Sequence, residues 1–364
     1  MIFVVKLIST ISVAQFRSKN QTKKSIVMTG LERTFSFMKG EHVDHPPFHP
    51  IIMRWAAQYA GIKYRDFCLD PFSKCGAMIR CANDFNIDWV TVMSDPWAEA
   101  SAFGIMVEYP ENNLPIDKGG HLPDARSSSF LKHWDPIGNI RCNNRLIELR
   151  EFRKSVGNDL FIVGWIEGPV AEYVDLRGVS NASMDFLLEP EFVEKAMDII
   201  VECAMDFSSH QIRAGAHCIG IGDAFCSQIG PELYNQFAFS RQKKLVEHIH
   251  SEGALAKLHI CGNTESILKY MIQTGADIVD IDHLVPSMKD FESLLSSRQV
   301  FSGKSDPVSI VQDGTPEMIK RSVNDDFSNA NGRCIVSAGC EITPGTTCEN
   351  MMAFSVAARD LFEK

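Results

Sequence analysis

Eight short apolar runs recur along most of this chain, with stretches of helical character between them. The runs are PPFHPII (46–52), DWVTVM (88–93), LFIVGWI (160–166), CIGIG (218–222), ALAKLHI (254–260), DIVDI (277–281), QVFSG (299–303) and RCIVSA (333–338). They are nearly continuous rather than strictly alternating, as expected of strands covered on both faces. Helix starts are marked between them. Pro190-Glu191-Phe192-Val193 places a proline and an acid in a first turn, and Pro231-Glu232 does the same. Thr315 precedes Pro316-Glu317-Met318 as an N-cap, and 264–274, TESILKYMIQT, reads as a further helix. The alternation predicts an α/β fold, and eight units predict a (β/α)8 TIM barrel. Periodicity alone also leaves a doubly wound sheet open.

The chain has 364 residues, 45% of them hydrophobic, enough for one large core. Residues 28–364 are read as a single barrel domain. A long insert near 95–150 contains YPENNLPIDKGGHLPD and is expected to form a loop region over the site. Residues 1–27 do not fit the barrel. The apolar run MIFVVKLISTISVA is followed by Arg17, Lys19, Lys23 and Lys24, the reverse of a signal peptide's charge order. It is also too short to span a bilayer. A misplaced start, with Met28 as the true first residue, is the favoured reading; a targeting segment and a genuine extension are the others.

The formal net charge of -10 and the lack of a dense basic patch argue against nucleic acid as a partner. The eleven cysteines are odd in number and scattered. That predicts free thiols in a reducing compartment, hence a cytoplasmic protein without a membrane span.

In a barrel of this kind the site forms at the C-terminal ends of the strands. The residues falling there are Glu167, Asp223, His259 with Cys261, Asp282 with His283, Lys304 with Asp306, and Cys340 with Glu341. One imidazole and two thiolates make a borderline-soft donor set suited to Zn²⁺, with a position left for an oxygen ligand or substrate. The competing reading is that His259 and Cys261 are buried core residues, since Cys218, Cys226 and Cys334 show how common cysteine is in this chain. Asp280 and Asp282 point to the same face of their strand. Two inward carboxylates are costly unless paired or metal-bound, so Asp282, the more outward, is the expected fourth ligand. Asp223 either orients a substrate group or caps the next helix.

The blocks SDPWAEASAFG (94–104), GPVAEYVDLRG (168–178), GIGDAFCSQIGPELYNQFAF (220–239), HICGNTESILKYMIQTGADIVDID (259–282) and SAGCEITPGTTCEN (337–350) carry a family likeness. From about Leu31 to Phe362 the chain resembles the uroporphyrinogen decarboxylase superfamily, and within it the methylcobamide:thiol methyltransferases. The resemblance implies a TIM barrel with zinc on His259, Cys261 and Cys340. The position of a glutamate in some relatives falls on Asp282. It also implies methyl transfer between a methylcobamide, carried by a corrinoid protein, and a thiol or small methylated substrate. In that scheme Asp223, His259, Cys261 and Cys340 serve catalysis, and Arg54, Asp223, Glu167 and His283 contact substrate. The decarboxylase branch uses an arginine-rich RQAGR-like motif, where this chain reads Met53-Arg54-Trp55-Ala56-Ala57-Gln58-Tyr59 and keeps Arg54 alone. A polycarboxylate substrate calls for several arginines. Decarboxylation is therefore the alternative enzyme reading, and a non-catalytic module that binds a corrinoid protein is the alternative outside enzymes.

Overall fold

Seven of the eight apolar runs form strands of one parallel sheet in a computed structural model of the chain, which describes residues 27–362. The strands are β1 Trp89–Thr91, β4 Phe161–Glu167, β5 Cys218–Gly222, β6 Leu255–Ile260, β7 Ile278–Ile281, β8 Val300–Ser305 and β9 Cys334–Ala338; β2 Val107–Glu108 and β3 Ile116–Asp117 make a separate antiparallel hairpin. The sheet order is β1-β4-β5-β6-β7-β8-β9, so every strand pairs with its predecessor in the sheet. All pairs are parallel, so each is joined by a crossover connection.

The expected first strand, 46–52, is a correction. It makes a single parallel bridge, Phe48 to Val336, and no ladder. It nevertheless meets both edges of the sheet: His49 N–H donates to Val336 O and Asp88 N–H donates to Phe48 O. Pro46, Pro47 and Pro50 explain the outcome, because none has an amide hydrogen to offer a ladder. The expectation for residues 1–27 lies, apart from Val27, outside the described residues.

A helix, Gly30–Met38, packs at the N-terminal ends of the strands. Thr29 and Glu32 form a reciprocal capping box at its start. Leu31, Phe35, Phe37 and Met38 rest on Trp89, Phe161, Val163, Cys218, Ile278, Val300 and Ile335. Arg33 ties the helix to the segments leading into the sheet through Asp44 at 2.7 Å and through Asp88. The larger apolar core lies between the strands and the outer helices. The glycines of β5 serve the interior: a Cβ on Gly220 or Gly222 would come within 2.4 or 2.6 Å of the Trp165 ring. Only a bare backbone leaves Trp165 its place there.

Two helical expectations need adjusting. The insert at 95–150 is not all loop; it holds a helix Trp97–Ala102, the β2–β3 hairpin, a 3-10 turn Ala125–Phe130 and a helix from Ile140 to Val156. The helix expected at Pro231 follows a kink at Gly230, whose φ of 73° breaks the segment Cys226–Leu233. Pro190–Ala214 is a long helix as expected, and the Thr315 hydroxyl accepts from Met318 N–H at the start of Pro316–Asn329. Among the described residues no helix is long and apolar enough to cross a membrane. All eleven cysteines are free thiols.

Candidate metal centre

Alternation along β6 turns Lys257, His259 and, just beyond its end, Cys261 to one face. The chain then leaves the sheet through Gly262, whose φ of 90° an L side chain rarely adopts. Further round the sheet, β9 ends at Ala338 and Gly339 brings Cys340 into the same space. A Cβ on Gly339 would stand 2.3 Å from His283 N, so this close backbone approach requires glycine. His259 Nε2 lies 2.9 Å from Cys261 Sγ, which lies 3.4 Å from Cys340 Sγ. The donor atoms of all three fall within 4.8 Å of one another.

The electrostatics favour anionic sulfur here. Cys340 is held down to about 4 by its contact with Cys261, against the effect of burial and with help from His259. Cys261 moves the other way, pushed up by the Cys340 sulfur and by burial. Of the two thiols, Cys340 ionises first. Burial alone would lower His259, but Asp280 and Cys340 outweigh it and raise the imidazole to about 9. Asp280, 1% exposed, is the cause nearest to the ring: its Oδ2 stands 2.7 Å from His259 Nδ1 and 3.1 Å from Lys257 Nζ. Despite its burial it is held below the ordinary carboxylate range by Lys257 and His259.

The family model for "Uroporphyrinogen decarboxylase (URO-D)" matches residues 29–361. The chain belongs to the URO-D family. Curated relatives fall on two branches of it. A uroporphyrinogen decarboxylase of Prochlorococcus marinus (strain NATL1A) is 28% identical over 346 residues, covering 89% of this chain and 95% of that one. The methylcobamide:CoM methyltransferase MtaA of Methanosarcina barkeri (strain Fusaro / DSM 804) is 30% identical over 248 residues, covering 65% of this chain and 71% of that one. Among solved structures, a methyltransferase from Methanosarcina mazei superposes with a TM-score of 0.83 at 24% identity, over 93% of this chain and 100% of that one. That likeness shows the shared fold.

Other sequence-predicted residues of this URO-D chain sit around the sulfur–imidazole group rather than in it. Asp282, the expected fourth ligand, has its carboxylate engaged elsewhere. Oδ2 accepts from Gly262 N–H at 2.9 Å and Oδ1 from Leu284 N–H at 3.1 Å, so it clamps the loop that carries Cys261. It is not among the three residues whose donor atoms converge. His283 reaches Asp282 Oδ1 at 2.6 Å through Nδ1 and Asp306 Oδ2 at 3.6 Å through Nε2. Asp306 caps the turn Pro307–Gln312, and Lys304 Nζ donates to Val285 O.

Asp223 is fully buried, and both its oxygens are occupied. Oδ1 accepts from Ala171 N–H and Oδ2 from Gln242 Nε2, each at 2.7 Å. It therefore caps a helix, but Pro169–Arg177 after β4 rather than the next one in sequence. Gly168 makes room, since a Cβ there would meet Asp223 Cγ at 2.4 Å. Burial pushes Asp223 up to about 6, with Gln242 and the helix amides opposing. Arg54 begins the helix Arg54–Ala60, its N–H donating to Glu341 Oε1 at 2.9 Å, and lines a cleft of about 280 Å³ with Gln58, Tyr64, Asn112 and Pro344.

Glu167 accepts from Trp165 Nε1 at 2.9 Å, and its own N–H donates to Glu99 Oε1. Burial and the neighbouring Glu99 raise it well above the usual range. Around it lies a network that strand-end reasoning does not reach. Arg145 donates to Glu99 Oε2 at 2.9 Å, to Trp165 O and to Asp95 O, while Arg141 pairs with Asp95 and Glu148 with Lys74. A sequence signal for it exists: Arg141, Arg145 and Glu148 share one helix face at spacings of four and three. Taking the insert as loop conceals it.

Proposed function

We propose that this chain is a zinc-dependent corrinoid methyltransferase, moving a methyl group between a methylcobamide on a corrinoid protein and a thiol or small methylated substrate. The observation that carries the reading is the convergence of His259, Cys261 and Cys340 at the strand ends. We read the parallel sheet with segment 46–52 as a (β/α)8 barrel forming one domain, so that this convergence falls at its catalytic end.

The donor set fits Zn²⁺. One nitrogen and two sulfurs lie close enough to share an ion, Cys340 is already acidified, and among the described residues no fourth side chain converges with them. His259, Cys261 and Cys340 would hold the metal, which when bound supplies positive charge that keeps an added thiol ionised at neutral pH or polarises a methylated donor. The protein's own residues do the rest. Asp282 fixes the loop of Cys261 through Gly262 N–H. Glu167, raised above the usual carboxylate range by burial and by Glu99, lies at the end of β4 and faces the substrate. Arg54 presents a cation to an acidic group of the substrate, His283 sets its specificity, and Asp223 positions the helix that follows Glu167.

Decarboxylation is the second reading, favoured by relatives of that name across nearly the whole chain. Two features weigh against it. Asp223 is fully buried, bound to Ala171 N–H and Gln242 Nε2 within the fold, and so presents no exposed carboxylate to a pyrrole nitrogen. Residues 53–59 also supply a single arginine for a polycarboxylate.

The test is anaerobic incubation of zinc-loaded protein with methylcobalamin and a panel of thiols, then with reduced cobalamin and methylated amines or methoxylated compounds. Uroporphyrinogen is assayed in parallel without metal. Substrate-dependent change in the cobalamin spectrum, lost in Cys340→Ser, supports methyl transfer. Metal-free turnover of uroporphyrinogen with no change in cobalamin overturns it, as does full activity and zinc in Cys340→Ser.

A further inference from the structure

Beneath the sulfur–imidazole cluster, toward the N-terminal ends of the strands, five buried polar atoms gather without a hydrogen-bond partner. They are Lys257 Nζ, His259 Nδ1, both carboxylate oxygens of Asp280 and Ser302 Oγ; none makes a well-aligned hydrogen bond, and ion-pair contacts join Asp280 to Lys257 and His259. Strand register assembles them. His259 lies opposite Asp280 across β6 and β7, and Asp280 lies opposite Ser302 across β7 and β8. Lys257, two residues before His259, shares its face and sits 5.8 Å from the centre of the Trp89 ring. His49, stacked on Trp89 with ring centres 4.4 Å apart, also faces this layer, as do the buried thiols Cys218 and Cys334.

A buried lysine–aspartate pair is a poor way to stabilise a barrel interior. Desolvating the two charges costs about as much as their attraction returns, and apolar residues of the same volume do as well or better. The pair therefore calls for another purpose, and the geometry supplies one. Asp280 Oδ2 touches both Lys257 Nζ and His259 Nδ1, at 3.1 and 2.7 Å. Nε2 of the same ring is the nitrogen that faces Cys261 Sγ, at 2.9 Å. A histidine has two tautomers, and only the one with its proton on Nδ1 leaves the Nε2 lone pair free for a ligand.

We propose that Asp280, anchored by the Lys257 ammonium, is a positioning residue that holds the His259 proton on Nδ1 and aims Nε2 at the space shared by Cys261 and Cys340. The proposal rests on the metal-site reading above. Lys257 gives Asp280 a second buried partner on the same oxygen that meets the ring. The carboxylate consequently cannot swing from His259 without leaving a buried ammonium unpaired.

The experiment measures zinc affinity of the full chain by competition with a chromophoric chelator, for wild type and Asp280→Asn. Nitrogen-15 NMR reads the His259 tautomer in zinc-loaded wild type. The expected result is affinity about ten- to a hundred-fold weaker in Asp280→Asn, at unchanged stoichiometry, with the wild-type proton on Nδ1. Equal affinities would overturn the proposal while leaving the metal site standing; a wild-type proton on Nε2 would overturn the proposal and take His259 Nε2 out of the ligand set. A wild type that takes up no zinc would instead overturn the metal site itself. Should Asp280→Asn not fold, the wild-type Nδ1 proton decides: a downfield, exchange-protected signal supports its contact with Asp280, and a freely exchanging one overturns the proposal.

Discussion

Cys261 Sγ and Cys340 Sγ lie 3.4 Å apart although 79 residues separate them in sequence. The contact joins the loop after β6 to the loop after β9, and it exists because each loop leaves its strand through a glycine at a position no larger residue fits without strain or clash. Two free thiols so placed can be cross-linked. In metal-free protein, a diazene oxidant should accept two electrons and two protons from the pair and join Cys261 to Cys340. Zinc should prevent this. Non-reducing peptide mapping with and without zinc checks it, and a cross-link formed equally well in both would count against a shared metal.

Asp282 is a clamp on the Cys261 loop. Replacing it by alanine removes acceptors for Gly262 N–H and Leu284 N–H. The expected cost is about 1–3 kcal/mol in stability, from leaving those groups short of partners. Zinc stoichiometry should persist. Chemical denaturation and metal analysis on one preparation separate the two effects, and loss of zinc from a stably folded Asp282→Ala would return it to the ligand set.

Arg145 is the cation at the centre of a buried acid cluster. It is 1% exposed and pairs with Glu99, which in turn holds Glu167 N–H at the end of β4. Arg145→Met should cost about 3–5 kcal/mol, the magnitude expected when a buried pair loses one partner. The shift in urea midpoint measures it; a change under about 1 kcal/mol, the size of an exposed pair, would show that the network is slack.

Asp223 should give stability a pH dependence of a definite sign. Folding raises it from 3.8 to about 6, chiefly by burial, so the folded chain holds this proton more tightly than the unfolded one. Its contribution to stability is complete below the ordinary carboxylate value and is lost as pH rises through the folded value. The loss amounts to about 3 kcal/mol at ~1.4 kcal/mol per unit. Asp223→Asn lacks that titration. The stability difference between wild type and variant should therefore move against wild type from acid to mildly alkaline pH; a constant difference would contradict it.

Much of this architecture is legible in the order of residues alone. CIGIG coincides with β5 residue for residue, and the runs at 160–166, 254–260, 277–281 and 333–338 match β4, β6, β7 and β9 to within a residue at either end. Buried parallel strands write themselves as apolar runs, and the ends of those runs carry His259, Cys261 and Cys340 to one place. What is not legible has physical causes. Three prolines in 46–52 outweigh its apolar character. The helix Ile140–Val156 is rich in charge, and its buried face mixes Arg141, Arg145 and Glu148 with Cys142, Leu146, Leu149 and Phe152, which blurs the apolar stripe by which helices are recognised. Asp282 reads as a ligand from its place at a strand end, whereas the backbone amides of Gly262 and Leu284 that it accepts from leave no mark in the sequence.

The most direct measurement is the metal content of anaerobically purified chain, wild type beside Cys340→Ser, after reconstitution with excess zinc and removal of the unbound ion. The account predicts close to one zinc per chain in the wild type and its loss in the variant, with both proteins folded. No zinc in either would contradict it and leave His259, Cys261 and Cys340 as a buried strand-end cluster.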